Sequence, residues 1–211
     1  MEKSVDACVY RESLRIKILR AAMNAFTSQG VRNVKMDDIA HKLGISKRTL
    51  YEIYGNKTEL LLESIKLREE QNIAHMKEFS LDKRHSEMDI LMEFYRRQIE
   101  SLSSLNPLFI SEIRRYPNVK AHLDQMKQER DERTQTFFVR GVEQGFFRAD
   151  VDYRIVSHIA MSAVQHIIDT KMYLEYDLPY IFRNVFFVLI RGFCTPKGLN
   201  ALNLLDASHR A

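Results

Sequence analysis

The run Met36 to Tyr54, MDDIAHKLGISKRTLYEIY, constrains the fold more than any other stretch of this chain. Ile39, Ala40 and Leu43 recur at the three- and four-residue spacing that places side chains on one face of a helix. Gly44 follows where a helix closes on a left-handed residue, a conformation that Gly adopts without a Cβ clash. Ile45 plugs the corner, and Ser46 can cap the next helix by accepting a backbone N–H bond. That second helix turns Leu50, Ile53 and Tyr54 inward, and the small Ala40 lets the two helices approach closely. A short helix, a glycine turn and a second helix returning to a shared core form the pattern of a helix-turn-helix. At about 100° per residue, Lys47, Arg48, Tyr51 and Glu52 fall on the arc facing away from that core, as a groove-facing surface would require.

The longer run GISKRTLYEIYGNKTELL resembles the signature of tetracycline-repressor-type (TetR family) transcriptional regulators. In that family a similar run, Ser-Lys-x-Thr-Leu-Tyr, then an aromatic, then Lys-x-x-Leu, spans the recognition helix and the start of the next one. The resemblance is strong from Ser13 to Leu62 and compatible in pattern through Gly198. It implies an all-α chain with a three-helix helix-turn-helix head and a C-terminal helical bundle for dimerisation and ligand binding. The expected division is a DNA-binding head at 1–56 with a loose arm at 1–10, a connecting helix at 57–79, and a ligand-binding and dimerisation domain at 80–211.

Composition agrees with long helices. The 211 residues include only 7 Gly and 4 Pro, and 45% are hydrophobic, which favours helices over a turn-rich sheet protein. Cys8 and Cys194 lie near opposite ends, so neither a disulfide framework nor a cysteine-based zinc site is implied. The N-terminus lacks the apolar core of a signal peptide, and no run of about twenty apolar residues marks a membrane span. A cytoplasmic protein without membrane association is expected. A net charge of +4 says little by itself, but between Arg11 and Lys57 ten basic residues stand against four acidic ones. The remainder is therefore net acidic, and positive charge is concentrated around the motif, as a polyanionic partner requires.

Along the chain, Leu14, Ile18, Ala21, Ala22, Ala25 and Phe26 define a first helix from Ser13 that Gly30 ends. Lys57 opens a long helix with Leu60, Leu61, Ser64, Ile65 and Leu67 facing neighbours and Lys66, Arg68, Glu69 and Glu70 facing solvent. Ser80 to Ser86 is a polar connector. Further helices follow: one through Ile90 to Leu102, a short one between Pro107 and Pro117, and a longer one to Gly141 whose charged middle, KQERDERTQ, reads as a solvated face. Two broadly apolar helices, 153–176 and 178–194, come last and should be buried on more than one side. By the resemblance, they pair with their two-fold copies into a four-helix bundle as the homodimer surface.

The resemblance also carries roles onto residues. Lys47 and Arg48 are candidates for base edges, since Arg can donate two parallel bonds to guanine O6 and N7. Ser46, Thr49, Tyr51 and Lys57 suit phosphate positioning, Lys57 because it sits near a helix N-terminus. Glu52 could accept from a cytosine amino group or point away. Lys35 stands where relatives carry a capping Thr or Ser; it can reach a phosphate but cannot cap, and Asp37 and Asp38 would compensate in part through the helix dipole. Arg48 stands where many relatives have Gly, and Ile53 where His or Tyr is usual. The double-stranded DNA operator would be palindromic, because one head makes few base contacts and two must act together. The family's effector site suggests a cavity lined by Phe94, Tyr95, Gln98, Phe109, Tyr116, Phe138, Met161, Gln165 and His166, which mix apolar walls with polar anchors. It would admit an unknown small-molecule effector, apolar or aromatic.

Other classes have weaker support. His158, His166 and Asp169 share part of a helix face, but no His-x-x-x-His pair or Cys partner accompanies them, so no metal or other cofactor is expected. The chain has no Gly-rich phosphate loop, nucleophile elbow or framed pair of acids, so catalysis is not expected. The alternative within the DNA-binding class is an architectural or cell-division factor on the same fold, without a small-molecule switch.

Overall fold

In the computed structural model the backbone is described for residues 2–208, and side chains for 9–126 and 133–204. The described chain is all helical: α1 (Glu2–Gln29), α2 (Met36–Lys42), α3 (Lys47–Ile53), α4 (Lys57–Leu81), α5 (Glu87–Ser103), α6 (Pro107–Ile113), α7 (Pro117–Glu143), α8 (Tyr153–Asp169), α9 (Leu178–Phe193) and α10 (Pro196–Ser208), with a single 3-10 turn at Met172–Leu174. The first helix begins eleven positions before Ser13, taking in the stretch read as a loose arm. The last helix lies beyond the two apolar helices with which the sequence reading ended. Among the described residues, no helix is long and apolar enough to cross a membrane.

The helices form two compact units, one comprising Met1–Ile73 and Leu105–Ala121, the other Ala74–Ser104 and His122–Ala211. The first unit is the helix-turn-helix head with an addition. Ile18, Ala22 and Phe26 of α1, Ile39 and Ala40 of α2, Leu50 of α3 and Leu60 and Leu61 of α4 are all buried, the residues the helical spacing had selected. Gly44 closes α2 at φ +65, and Ser46 caps α3 by accepting from Thr49 N at 3.0 Å. The addition is α6, which packs on α1 and contributes buried Phe109. Sequence order alone would assign that helix to the body. Arg68 and Glu69 of α4 are half-buried rather than solvated, and burial pushes the Arg68 guanidinium pKa down.

The second unit is built on aromatic packing. Phe138 stacks on Tyr153 with ring centroids 4.3 Å apart, and Phe147 meets Phe193 edge-on at 5.3 Å. Tyr95 lies 4.7 Å from Phe186 and 5.1 Å from Phe187. The turn after α7 pairs with the chain leaving α9: Arg148 N donates to Phe193 O and Thr195 N to Phe146 O, each at 2.9 Å. Tyr153 Oη donates to Arg148 O at 2.7 Å, and burial pushes its phenol up to about 12. The α5 start is fixed by a capping box between Ser86 and Asp89, which satisfies two otherwise orphaned donors reciprocally. Cys194 is buried, and its thiol is pushed up to about 11 by that burial. The side chains of 127–132, most of the charged run in α7, lie outside the described residues, as does the Cys8 side chain.

One expectation for this unit needs revision. Within a single chain the two broadly apolar helices are not covered all round: Ile155 and Ile159 of α8 are 58% and 52% exposed, and Val188 of α9 is 73% exposed. Each helix gives one face to the core and leaves apolar residues uncovered, Ile155 and Ile159 on α8 and, among exposed polar neighbours, Tyr180 and Val188 on α9.

Candidate nucleic-acid interface

The α3 surface follows from its register. With Leu50 buried and Tyr54 buried one turn later, positions 47, 48, 51 and 52 must point outward, and all four are exposed. Arg15 of α1 lies over the Tyr54 ring at 5.4 Å from its centroid, a cation–π contact that ties α1 to the end of α3. Thr49 is half-buried at the α3 start, where its hydroxyl lies 2.8 Å from Ser46 Oγ.

Both candidate base readers are held by acids on the same surface. Lys47 donates across the motif to Asp37 of α2, and that bond raises the Lys47 pKa. Arg48 Nε donates to Glu52 Oε1 one turn on at 2.7 Å. Exposed pairs of this kind contribute little to stability because water screens them, so a phosphate or base edge can replace either acid at small cost. Asp37, anticipated only as a helix-dipole partner, is thus a direct partner of Lys47. Glu52 has found Arg48. Lys35 occupies the N-cap position of α2 with no side-chain cap bond, as its chemistry requires.

Lys57 has a role that spacing could not reveal. Its ammonium donates to Val31 O and Val34 O at 2.9 Å each and to Arg32 O at 3.3 Å. All three N–H donors are thereby used on the turn between α1 and α2, rather than left facing outward for a phosphate. Burial pushes its pKa down, opposed by the nearby charge of Glu112. Charge-assisted bonds contribute about 1.5–3 kcal/mol each when lost singly. Replacing Lys57 with Met is therefore expected to cost about 2 kcal/mol of stability, measured as a lower urea midpoint with unchanged slope; an unshifted midpoint would show that these carbonyls do not need it.

The nine candidate effector residues are divided between the two units. Phe109 and Tyr116 belong to the first unit and the other seven to the second. Tyr95 and Phe138 are buried in the aromatic core, Phe94 is 39% exposed, and Gln98 and Met161 are half-buried. Gln165 and His166 are exposed, with Gln165 donating to Asp169 at 2.6 Å. Among the described residues no cluster of three or more His, Cys, Asp or Glu side chains converges on a point.

A glycine-turned helix pair with a capped, basic, outward-facing second helix defines a DNA-binding regulator of the helix-turn-helix class. Residues 18–64 match the family described as bacterial regulatory proteins, tetR family. Over that stretch the head is similar to tetR family regulators, and the chain as a whole has the fold of solved members of that family. A transcriptional regulator of the TetR family from Agrobacterium tumefaciens superposes with a TM-score of 0.67 at 16% identity, covering 88% of this chain and 100% of the other. The regulatory protein TetR from Rhodobacter sphaeroides gives 0.66 at 18% identity, over 84% and 97%. The transcriptional regulator FadR from Bacillus subtilis, solved in complex with stearoyl-CoA, gives 0.61 at 17% identity, over 84% and 98%. No curated protein sequence matches the chain.

Proposed function

We propose that this chain is a ligand-released repressor that binds a palindromic operator as a homodimer. The observation that carries the DNA side is the exposed arc of α3, with Lys47, Arg48 and Tyr51 outward and Leu50 locked beneath them. Lys47 and Arg48 read base edges, while Lys35, Ser46, Thr49 and Tyr51 position phosphates. Glu52 holds Arg48 until a guanine replaces it, and Lys57 acts by fixing the turn behind the motif. Two copies join through the uncovered apolar residues of α8 and α9, which sets their recognition helices about 34 Å apart, or a multiple of it, on one duplex face.

The effector is apolar and enters the second unit beside the rings around Tyr95, a reading supported by the stearoyl-CoA carried by the Bacillus subtilis relative. Such a ligand can weaken DNA binding only by its differential affinity for the two head spacings. Catalysis and a bound metal have no part in this scheme, and the protein acts in the cytoplasm.

Selection of bound duplexes from a random pool, followed by a release screen with acyl-CoA and other apolar compounds, tests the proposal. A two-fold symmetric winner is expected; no enrichment at low salt would remove the regulator reading. Arg48→Ala is expected to cut discrimination between the selected duplex and random DNA by roughly ten-fold, since a good base pair contact is worth about 1–3 kcal/mol. Equal losses on both duplexes would reassign Arg48 to the phosphates.

A further inference from the structure

The turn between α1 and α2 is held from outside the helix-turn-helix by a helix that follows it by some eighty residues. Asn106, which caps α6, donates its backbone N–H to Thr27 O at 2.7 Å and its side-chain amide to Ser28 O at 3.1 Å. These bonds satisfy carbonyls at the end of α1 that have no partner within their own helix. Nearly two turns further along α6, the buried carboxylate of Glu112 accepts from Arg32 N at 2.9 Å. Gly30, at φ +82, makes room for this: a Cβ there would stand 3.1 Å from Glu112 Oε2 and 3.2 Å from Leu108 Cβ. Lys57 closes the arrangement from the other side by its bonds to Val31, Arg32 and Val34.

A carboxylate that is only 7% exposed is costly to bury unless a positive charge or a donor answers it. Here the answer is a backbone N–H of the turn together with the charge of Lys57. The turn leads directly into α2, and α2 carries Asp37, the partner of Lys47. An error in the turn is therefore passed to the side chains that face DNA.

We infer that Glu112 is a positioning residue for DNA readout: by accepting from Arg32 N it sets the angle at which α2, and through it α3, is presented to the groove. This rests on the DNA-binding proposal above. Loss of the acceptor loosens the turn without removing any group that touches DNA, so it lowers selectivity before it lowers stability.

The test uses the full chain, a duplex selected by the wild-type protein, and a random-sequence duplex of equal length. Glu112→Leu keeps apolar bulk and removes the acceptor; Glu112→Gln keeps an acceptor oxygen and removes the charge. Glu112→Leu is expected to speed hydrogen exchange at the Arg32 amide at least ten-fold and to lower affinity for the selected duplex about ten-fold with random-duplex affinity unchanged. Glu112→Gln is expected to restore both to within about three-fold of wild type. Unchanged exchange at Arg32, or equal losses on the two duplexes, overturns the assignment. Should Glu112→Leu fail to fold, Asn106→Ala, which removes the amide bond to Ser28 O, must show the same selective loss on the selected duplex with a melting temperature lowered by no more than the few degrees that a lost helix cap costs, or the assignment falls. If the wild-type protein selects no duplex, the DNA-binding proposal is what fails, whereas the exchange rate still reports on the hydrogen bond.

Discussion

Ile159→Asp is expected to yield a monomer that no longer binds operator DNA measurably at concentrations where the wild-type protein is saturated. Ile155 and Ile159 are four residues apart on α8, hence on one face, and both stand open to solvent in a single chain. Val188 on the adjoining α9 is more exposed still. If two copies bury these residues, an aspartate at 159 must lose its water without a partner, a penalty of several kcal/mol. That is enough to raise the dimer dissociation constant by at least 100-fold, since about 1.4 kcal/mol is a factor of ten. A lone head retains only its own few base contacts, so specific binding is lost with the second copy. Sedimentation of the variant alongside a gel-shift titration checks both halves. A variant that sediments as the wild type does and binds DNA unchanged would place the dimer contact elsewhere.

The second large effect concerns folding. Gly141→Ala is expected to lower the melting temperature by about 2–12 °C, because about 1 kcal/mol is worth 2–4 °C in a chain of this size and overpacking costs about 1–3 kcal/mol. A Cβ at 141 would stand 2.1 Å from Phe147 Cδ2 and 2.2 Å from its Cε2. Phe147 is 1% exposed and enclosed by Phe137, Phe138, Tyr153 and Phe193, so its ring has nowhere to retreat. Gly192→Ala is the control: nothing in the single chain lies within 4 Å of its added Cβ, and replacing Gly by Ala in a helix is neutral or stabilising there. Both changes are compared in the Ile159→Asp background, so that a second copy does not cover the α9 face that carries position 192. Thermal scans followed by circular dichroism decide the matter, and equal melting temperatures for the two variants would contradict the packing argument.

What could be read from the residues was what local chemistry encodes. Gly44 had to turn, Ser46 had to cap, and Leu50 and Tyr54 had to point inward because helical spacing leaves no other face; the structure has each of these in place. The basic arc of α3 followed from the same spacing. The partners of Lys57 and Glu112 were not legible, because their bonds reach 23 to 26 and 80 residues along the chain, and no short pattern announces a side chain that will meet a distant carbonyl or amide. For the same reason α6 was assigned by chain order to the body although it packs on α1. The effector residues rest on the resemblance to a family site, and neither that resemblance nor helical spacing can show whether a ring such as Tyr95 lines a space or fills one.

The discontinuous make-up of the first unit bears on how such proteins can be recombined. A cassette cut at residue 73 would carry every side chain proposed to read bases yet omit Leu105–Ala121, leaving the carbonyls of Thr27 and Ser28 and the amide of Arg32 without their donors and acceptor. Anyone transplanting this reading module onto a foreign sensor must graft two separate pieces of chain, and the second is no less part of the module for lying far downstream.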